Sequence, residues 1–555
     1  MPILVRGIAQ KSLKELFGWI DAHDLALPEL QRPSVWGDSK IPRLLSSIYN
    51  DYPFGILLVW TPKPEERIKC RPFAVQDGAA YDREHQSAHY LVDGQQRLTS
   101  LYKALHNREE PEVQVLFNIK DERFELANKR LSKKDGWYPV GHLLTKNTRE
   151  RNSFMDEHRA LGDPYIESLF KKLDRLQPEN VQMSLYNVEE KPYCEVAEIF
   201  ERINLGTPVK KSQIALGKLS TIAPGVVQQV EDYLQRMRPK HGNEFDLDLF
   251  MMTLAVTTTE HADLDALADR YGIGDAKGPA SKANMARKVL SQDLNRAFVA
   301  LDAAFAFSDE YLHIDTMKYF PSERTLMGLA FLQSKRPGLL KAPVIANKTA
   351  FWAASALLCK RHGDMRELNA DIRQIRDEGT DESVVDALLS NNTAGDPFHQ
   401  IQKLLDFESP IDRNNRLFGF VYALERWKGG VSWITTGFQI RTTGNKEEAL
   451  HEHHVYPKAQ VEREKNPEGK AWKEEWISDI ANLTFLLDKD NIKLADPDIS
   501  YLKRYLPYLG PHMVDDRKDQ DYGDSDYLRF LKDRRTRIHA ELLKFVRSLK
   551  DGAGA

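Results

Sequence analysis

The sequence predicts an α+β protein that is predominantly helical, on three observations. Apolar residues recur at helical spacing through most of residues 212–430. Short apolar runs of strand length, such as Ile56–Trp60, Tyr90–Val92 and residues 112–119, fall in the N-terminal part. Near the other end, Leu450–Pro457 alternates apolar and polar residues ahead of a second apolar run at Ile480–Leu487. These signals divide the chain into an N-terminal α/β region at 1–220, a helical linker region at 221–430 and a small C-terminal region at 431–555.

In chain order, Ser12 and Glu15 have capping-box spacing, and Leu13, Leu16, Phe17 and Ile20 follow at helical spacing. Pro28 and Pro33 then force an extended segment that presents Gln31 and Arg32 beside Val35 and Trp36. Amide, guanidinium and indole together can hold a base or a sugar-phosphate edge, or Trp36 can simply anchor a structural arm. A second helix (Ile41, Leu44, Leu45, Ile48) leads through Asp51–Gly55 into the strand Ile56–Trp60, and residues 61–89 are loop-rich. Tyr90–Val92 reads as a buried strand, and Leu98, Leu101, Tyr102 and Leu105 as the helix after it.

Between that strand and helix lies Asp93-Gly94-Gln95-Gln96-Arg97. Gly94 permits the positive φ or close backbone approach of a tight turn. Unpaired amides at the helix start can seat an anion, Arg97 offers a fork for phosphate oxygens, and Asp93 can hold a metal or a water. A plain Arg97–Asp93 ion pair accounts for the same residues equally well. Farther on, strands at 112–119 and 123–127 are joined by a turn at Lys120-Asp121. A helix at Glu195–Ile203 stops at Asn204-Leu205-Gly206-Thr207-Pro208, which gathers Arg202, Asn204 and Thr207 at one helix end.

Taken together, LPELQRPSVW, the YPFG turn, LVDGQQRLTSL and IFERINLGTPV resemble, in order, the ParB/sulfiredoxin-like N-terminal domain of GmrSD-type modification-dependent restriction proteins over roughly residues 8–220. The resemblance implies that Asp93, Gly94, Gln95, Gln96 and Arg97 bind or hydrolyse a nucleoside triphosphate (GTP, UTP or ATP). Asp93 and Arg97 are then catalytic, with Arg202 and Asn204 in the same nucleotide site. It assigns Gln31 and Arg32, with Trp36 beside them, to the same cleft or to the sensing of modified DNA. No GxxxxGK[ST] occurs, so a P-loop is not an alternative source of NTPase activity.

The composition, 41% hydrophobic and 29% charged with a net charge of −4, is that of a globular chain whose nucleic-acid surface must be local. Cys70, Cys194 and Cys359 form no CxxC pair, and no run of about 18 apolar residues occurs, so a cytoplasmic protein is expected. In the middle, Phe245–Val256, Met285–Phe305 and Ala350–Cys359 read as buried helices, with inter-helix loops at 271–283 and 335–348.

His451-Glu452-His453-His454 is the densest ionisable cluster. The order His-His-hydrophobic-x-Pro at 453–457, Asn-Leu-x-x-Leu from Asn482 and then Asn491 resembles the HNH (ββα-metal) nuclease signature. It implies His454 as general base, and His453 and Asn491 as ligands of one divalent cation, Mg2+ or Mn2+. Asn482 would then tether the loop, and Glu452 would orient His453. The structural CxxC pairs of commoner HNH enzymes are missing, and Asn491-Ile492-Lys493 replaces Asn-x-x-Lys. A final helix from near Ser525 carries a basic face of Arg529, Arg534, Arg535, Arg537, Lys544, Arg547 and Lys550, suited to phosphates or simply solvated.

The expected protein is therefore a nucleotide-regulated, metal-dependent DNA endonuclease of antiphage defence. Its partners would be phosphorothioate- or cytosine-modified DNA, a nucleoside triphosphate and a second copy of the chain, with no membrane. A nucleotide-binding signalling module with a silent HNH fold, or a toxin-like nuclease acting on RNA or unmodified DNA, are the competing readings.

Overall fold

The computed structural model describes residues 8–28, 38–63, 70–71, 87–193, 195–196, 198–199, 210–272, 280–339, 342–391, 395–443, 445, 448–494, 499–514 and 527–552. Gln31, Arg32, Trp36, Arg202, Asn204 and Thr207 lie outside these residues. The protein is α+β and predominantly helical, in two compact units: the described residues up to Val227 form one, and those from Gln228 onward form the other. No helix among the described residues is long and apolar enough to cross a membrane.

The first unit is built on a six-stranded mixed sheet. Its strands are β1 (Ile8–Ser12), β2 (Leu25–Pro28), β3 (Ile56–Thr61), β4 (Cys70–Arg71), β5 (His89–Asp93) and β9 (Gln182–Glu189), in the order β1-β9-β3-β5-β2-β4. β3 and β5 lie mid-sheet with both faces covered, which is why they read as continuous apolar runs. Leu57, Val59 and Leu91 join a core with helices α1 (Leu13–Asp21), α2 (Ile41–Tyr49) and α3 (Gln95–Leu105). Leu58, Trp60, Tyr90 and Val92 join a second cluster on the other face with Tyr193 and Val196. Ser12 closes a reciprocal capping box with Glu15 at the start of α1.

A smaller antiparallel sheet holds β6 (Val115–Asn118), β7 (Arg123–Leu126) and β8 (Trp137–Pro139) in the order β7-β6-β8. Its first hairpin turns where expected, because Asn118 Oδ1 accepts from the Lys120 and Asp121 amides at 2.8 and 2.9 Å.

In the second unit, helices Leu247–Thr259, Ala280–Phe307, Glu323–Lys335, Pro343–Leu358 and Met365–Asp377 pack around Phe250, Leu301, Phe331, Trp352 and Ile372, all fully buried. Two expected loops are shorter than the sequence suggests. Helix begins at Ala280 rather than after 283, and Pro343 opens its helix at the first turn, where a missing N–H costs nothing. The unit ends with α4 (Leu417–Trp427), the antiparallel pair β10 (Leu450–His454) and β11 (Leu483–Leu487), the short helix α5 (Asp488–Lys493) and the long helix α6 (Tyr527–Asp551).

A buried polar network runs across residue 430. Glu425 of α4 accepts from the Thr484 hydroxyl at 2.8 Å, from the Phe485 amide at 3.3 Å and from Arg534 Nη2 of α6 at 3.3 Å. Arg534 also donates to the carbonyls of Ala481 and Leu483 at 2.8 and 2.7 Å. Arg535 pairs with buried Asp479 and donates to the Ser409 carbonyl at 3.0 Å. The sequence places both arginines on an exposed basic face, phosphate-gripping or simply solvated. They are 1–2% exposed and belong to the core, because buried carboxylates and carbonyls wait for them there.

Candidate active site

Two places in the chain bring chemically capable side chains together. In the first unit, β5 ends at Asp93 and α3 begins at Gln95, with Gly94 between them at φ 97°. A Cβ on Gly94 would lie 2.3 Å from Leu57 Cδ2. The N-cap residue Gly94 offers no side chain to the opening amides of α3, which carry partial positive charge. Gln95 is buried, and Gln96 Oε1 is buried with no hydrogen-bond partner.

Arg97 folds back over the turn. Its Nη2 donates to Asp93 Oδ2 at 3.2 Å, and its Nη1 donates to the Phe54 carbonyl at 3.2 Å. That second bond exists because Gly55 (φ 103°) has no side chain: a Cβ there would stand 1.8 Å from Nη1. Gly55→Ala is therefore expected to expel the guanidinium from the turn and to add about 1–2 kcal/mol of left-handed backbone cost. Thermal unfolding of the variant should shift down accordingly, and wild-type stability would remove this role for Gly55.

In the second unit, His453 pairs with Thr484 and His454 with Leu483 across the β10–β11 register. α5 follows β11 directly, so strand, strand and helix converge on one spot. There His453 Nδ1 lies 2.7 Å from Asn491 Oδ1. His453 Nε2 meets the Tyr501 hydroxyl at 2.7 Å, and that hydroxyl in turn reaches the Val455 carbonyl at 3.0 Å. Burial brings the His453 pKa down to about 4, so the ring is neutral at pH 7. Asn491 is aimed by its neighbour: buried Asp490 accepts from the Ser432 hydroxyl at 2.5 Å and from the Thr435 amide at 2.8 Å. Tyr501, Asp490 and Ser432 carry no sequence signal of these roles, because their partners are distant in the chain or sit in an unremarked loop.

His454 presents a different environment. It is largely enclosed, its Nε2 has no hydrogen-bond partner, and burial, with Lys458 nearby, holds its pKa below the usual histidine value. A buried imidazole nitrogen without a protein partner costs about 1–3 kcal/mol and calls for a reason. Asn482 is fully buried and ties the loop: its Oδ1 accepts from the Tyr456 amide at 2.7 Å, and its Nδ2 donates to the Tyr456 and Ile477 carbonyls at 3.1 and 2.9 Å.

Glu452 does not orient His453: its carboxylate pairs with Lys318 at 3.0 Å and Arg413 at 3.7 Å instead.

Residues 13–219 match the family model of the GmrSD restriction endonuclease, N-terminal domain. The match supports a GmrSD-type restriction protein and points to a restriction-endonuclease type of defence function. The matched region contains the whole Asp93–Arg97 turn and ends before β10, so the chemistry of the hairpin rests on its own geometry. No curated protein matches the chain.

Among the described residues no three His, Cys, Asp or Glu side chains gather as a metal cluster. The pair His453 Nδ1 and Asn491 Oδ1 is nevertheless a workable half-set. Two cis donors on a small divalent cation stand about 3 Å apart, and water and phosphate oxygens complete such a shell.

Proposed function

We propose that the protein is a nucleotide-regulated, metal-dependent DNA endonuclease of antiphage defence that recognises modified DNA. The observation that carries the reading is the 2.7 Å approach of His453 Nδ1 to Asn491 Oδ1, with the unpartnered His454 next in the same strand, in a chain whose N-terminal region matches a GmrSD domain.

In this reading the second unit is an HNH nuclease. His454 Nε2, neutral at working pH, takes the proton from a water attacking the scissile phosphorus. His453 and Asn491 would hold a divalent ion, Mg2+ or Mn2+, which when bound supplies Lewis-acid stabilisation of the phosphate charge. Tyr501 fixes the His453 ring through its other nitrogen. Asp490 holds the helix that presents Asn491.

The Asp93–Arg97 turn is the nucleotide site of the ParB-like first unit. The opening amides of α3 and the Arg97 fork receive phosphate oxygens of GTP, UTP or ATP, with Arg97 exchanging the Phe54 carbonyl for the ligand. Asp93 positions the water or metal that hydrolysis needs. Gln31, Arg32 and Trp36 would sense the DNA modification, and Arg202 and Asn204 would complete the nucleotide site.

A second reading is favoured by the engagement of Arg97 with both Asp93 and Phe54: the turn is a structural ion pair, and nucleotide binds without turnover or not at all. One assay separates these readings. Cleavage of unmodified, phosphorothioate and glucosylated-hydroxymethylcytosine DNA, with an RNA control, is measured with and without each triphosphate. Metal-dependent cutting confined to a modified DNA and altered by a triphosphate is expected, with turnover abolished by Asp93→Ala. Cutting of RNA or unmodified DNA alone, or turnover unchanged in Asp93→Ala, would sink the corresponding half.

A further inference from the structure

The second unit contains a cavity of about 580 Å³ that neither the hairpin nor the Asp93 turn uses. Its walls come from three stretches: Lys240 and His241, residues 309–315, and the segment from Arg426 through Thr443. The volume lies within the range of small-molecule sites, yet the lining is unlike an apolar drug pocket. Ile440 is its one aliphatic residue. Three cations, Lys240, Arg426 and Arg441, face two carboxylates, Asp309 and Asp315.

Those carboxylates are already committed. Asp315 accepts from the Tyr422 hydroxyl at 2.7 Å and from the Thr442 amide at 2.8 Å, with Arg426 Nη1 at 3.6 Å. Asp309 accepts from Arg426 Nη2 at 2.7 Å. Arg426 Nε donates to the Ile440 carbonyl at 3.0 Å, which holds the guanidinium rigidly in the wall. Lys240 and Arg441 are exposed at the rim. Their charge is not matched by a third carboxylate among the lining residues. His241 is fixed by its Nδ1 contact with the Asp315 carbonyl at 2.7 Å. Burial lowers the pKa of both His241 and His313, so the imidazoles add polar contacts rather than charge at pH 7. Gly429, at φ 70°, and Gly430 leave backbone instead of side chain along one wall.

We propose that this cavity binds a phosphorylated small molecule of nucleotide size, with its phosphate between Lys240 and Arg441 and its polar remainder against Gln439, Thr442 and Thr443. An excess of positive charge over a polar, hydrogen-bonding floor is the chemistry that selects a phosphoryl anion over a neutral or apolar ligand. The site is separate from the turn of the first unit, and its ligand would address the nuclease-bearing unit directly.

The test uses the full chain carrying Arg97→Glu, which replaces the phosphate-receiving fork of the first unit with a carboxylate, so that binding there does not mask the result and cleavage is not the readout. Calorimetry with AMP, ADP and inorganic phosphate is expected to show one binding event per chain. Lys240→Glu with Arg441→Glu should weaken it about tenfold or more, and Lys240→Gln with Arg441→Gln should weaken it in the same direction, with thermal unfolding unchanged. Absence of binding by all three probes, affinity unchanged in both double variants, or a loss confined to binding of a DNA duplex would overturn the proposal.

Discussion

His454→Ala is expected to lower DNA cleavage by about 10²–10⁴-fold while leaving nucleoside triphosphate turnover intact. The asymmetry follows from the architecture. His454 ends β10 in the second unit, whereas Asp93 and Arg97 belong to the first. In a metal-supplemented assay, cleavage surviving in the variant would remove His454 as general base. The pH profile provides an independent check. A base acts only when neutral, and burial holds His454 below its usual pKa of 6.5. Cleavage by the wild-type chain should therefore rise with pH through a midpoint below 6.5 and level off above it. A limb centred at or above 6.5 would mean that His454 is not enclosed as described. Tyr501→Phe tests positioning separately: it keeps the ring in place but removes the hydroxyl from His453 Nε2, so cleavage should fall without loss of the His454 limb.

The elements around both sites are legible because their signals are local. Strand, glycine and helix follow one another at Tyr90–Leu105, and the strand, strand and short helix that bear His453, Asn482 and Asn491 do so at 450–493. Contacts between segments distant in the chain are not written that way. The Phe54 carbonyl that receives Arg97 lies 43 residues upstream, and the Tyr501 hydroxyl that holds His453 lies 48 residues downstream. Nothing in either residue type announces the partner. Glu452 is a further instance. It stands next to His453 in the sequence, but its cationic partners, Lys318 and Arg413, lie 134 and 39 residues upstream and draw its carboxylate to themselves.

Arg534→Met is expected to destabilise the second unit by about 3–5 kcal/mol, a far larger effect than any change on the exposed face of α6. Arg534 is 2% exposed, and its removal leaves the buried Glu425 carboxylate without its guanidinium partner, in contact only with the Thr484 hydroxyl, the Phe485 amide and the His512 ring. It also deprives the carbonyls of Ala481, Leu483 and His512 of a donor. These are the residues on which β11 and the loop before it rest, so the hairpin bearing His453 and His454 should lose its support first. By contrast, Lys544 is 66% exposed and pairs with Glu541 one turn away, so Lys544→Ala should cost less than about 1 kcal/mol. Urea unfolding of both variants checks the contrast. Adding Glu425→Leu to Arg534→Met should recover part of the loss, because the stranded charge disappears while the orphaned carbonyls remain. The helical pattern anticipates this outcome. Arg534 follows Leu531 by three residues and precedes Ile538 by four, which puts its side chain inside the apolar stripe rather than beside it. Near-wild-type stability in Arg534→Met, together with weaker and less salt-dependent DNA binding, would return Arg534 to a phosphate-gripping surface and detach Glu425 from the support of the hairpin.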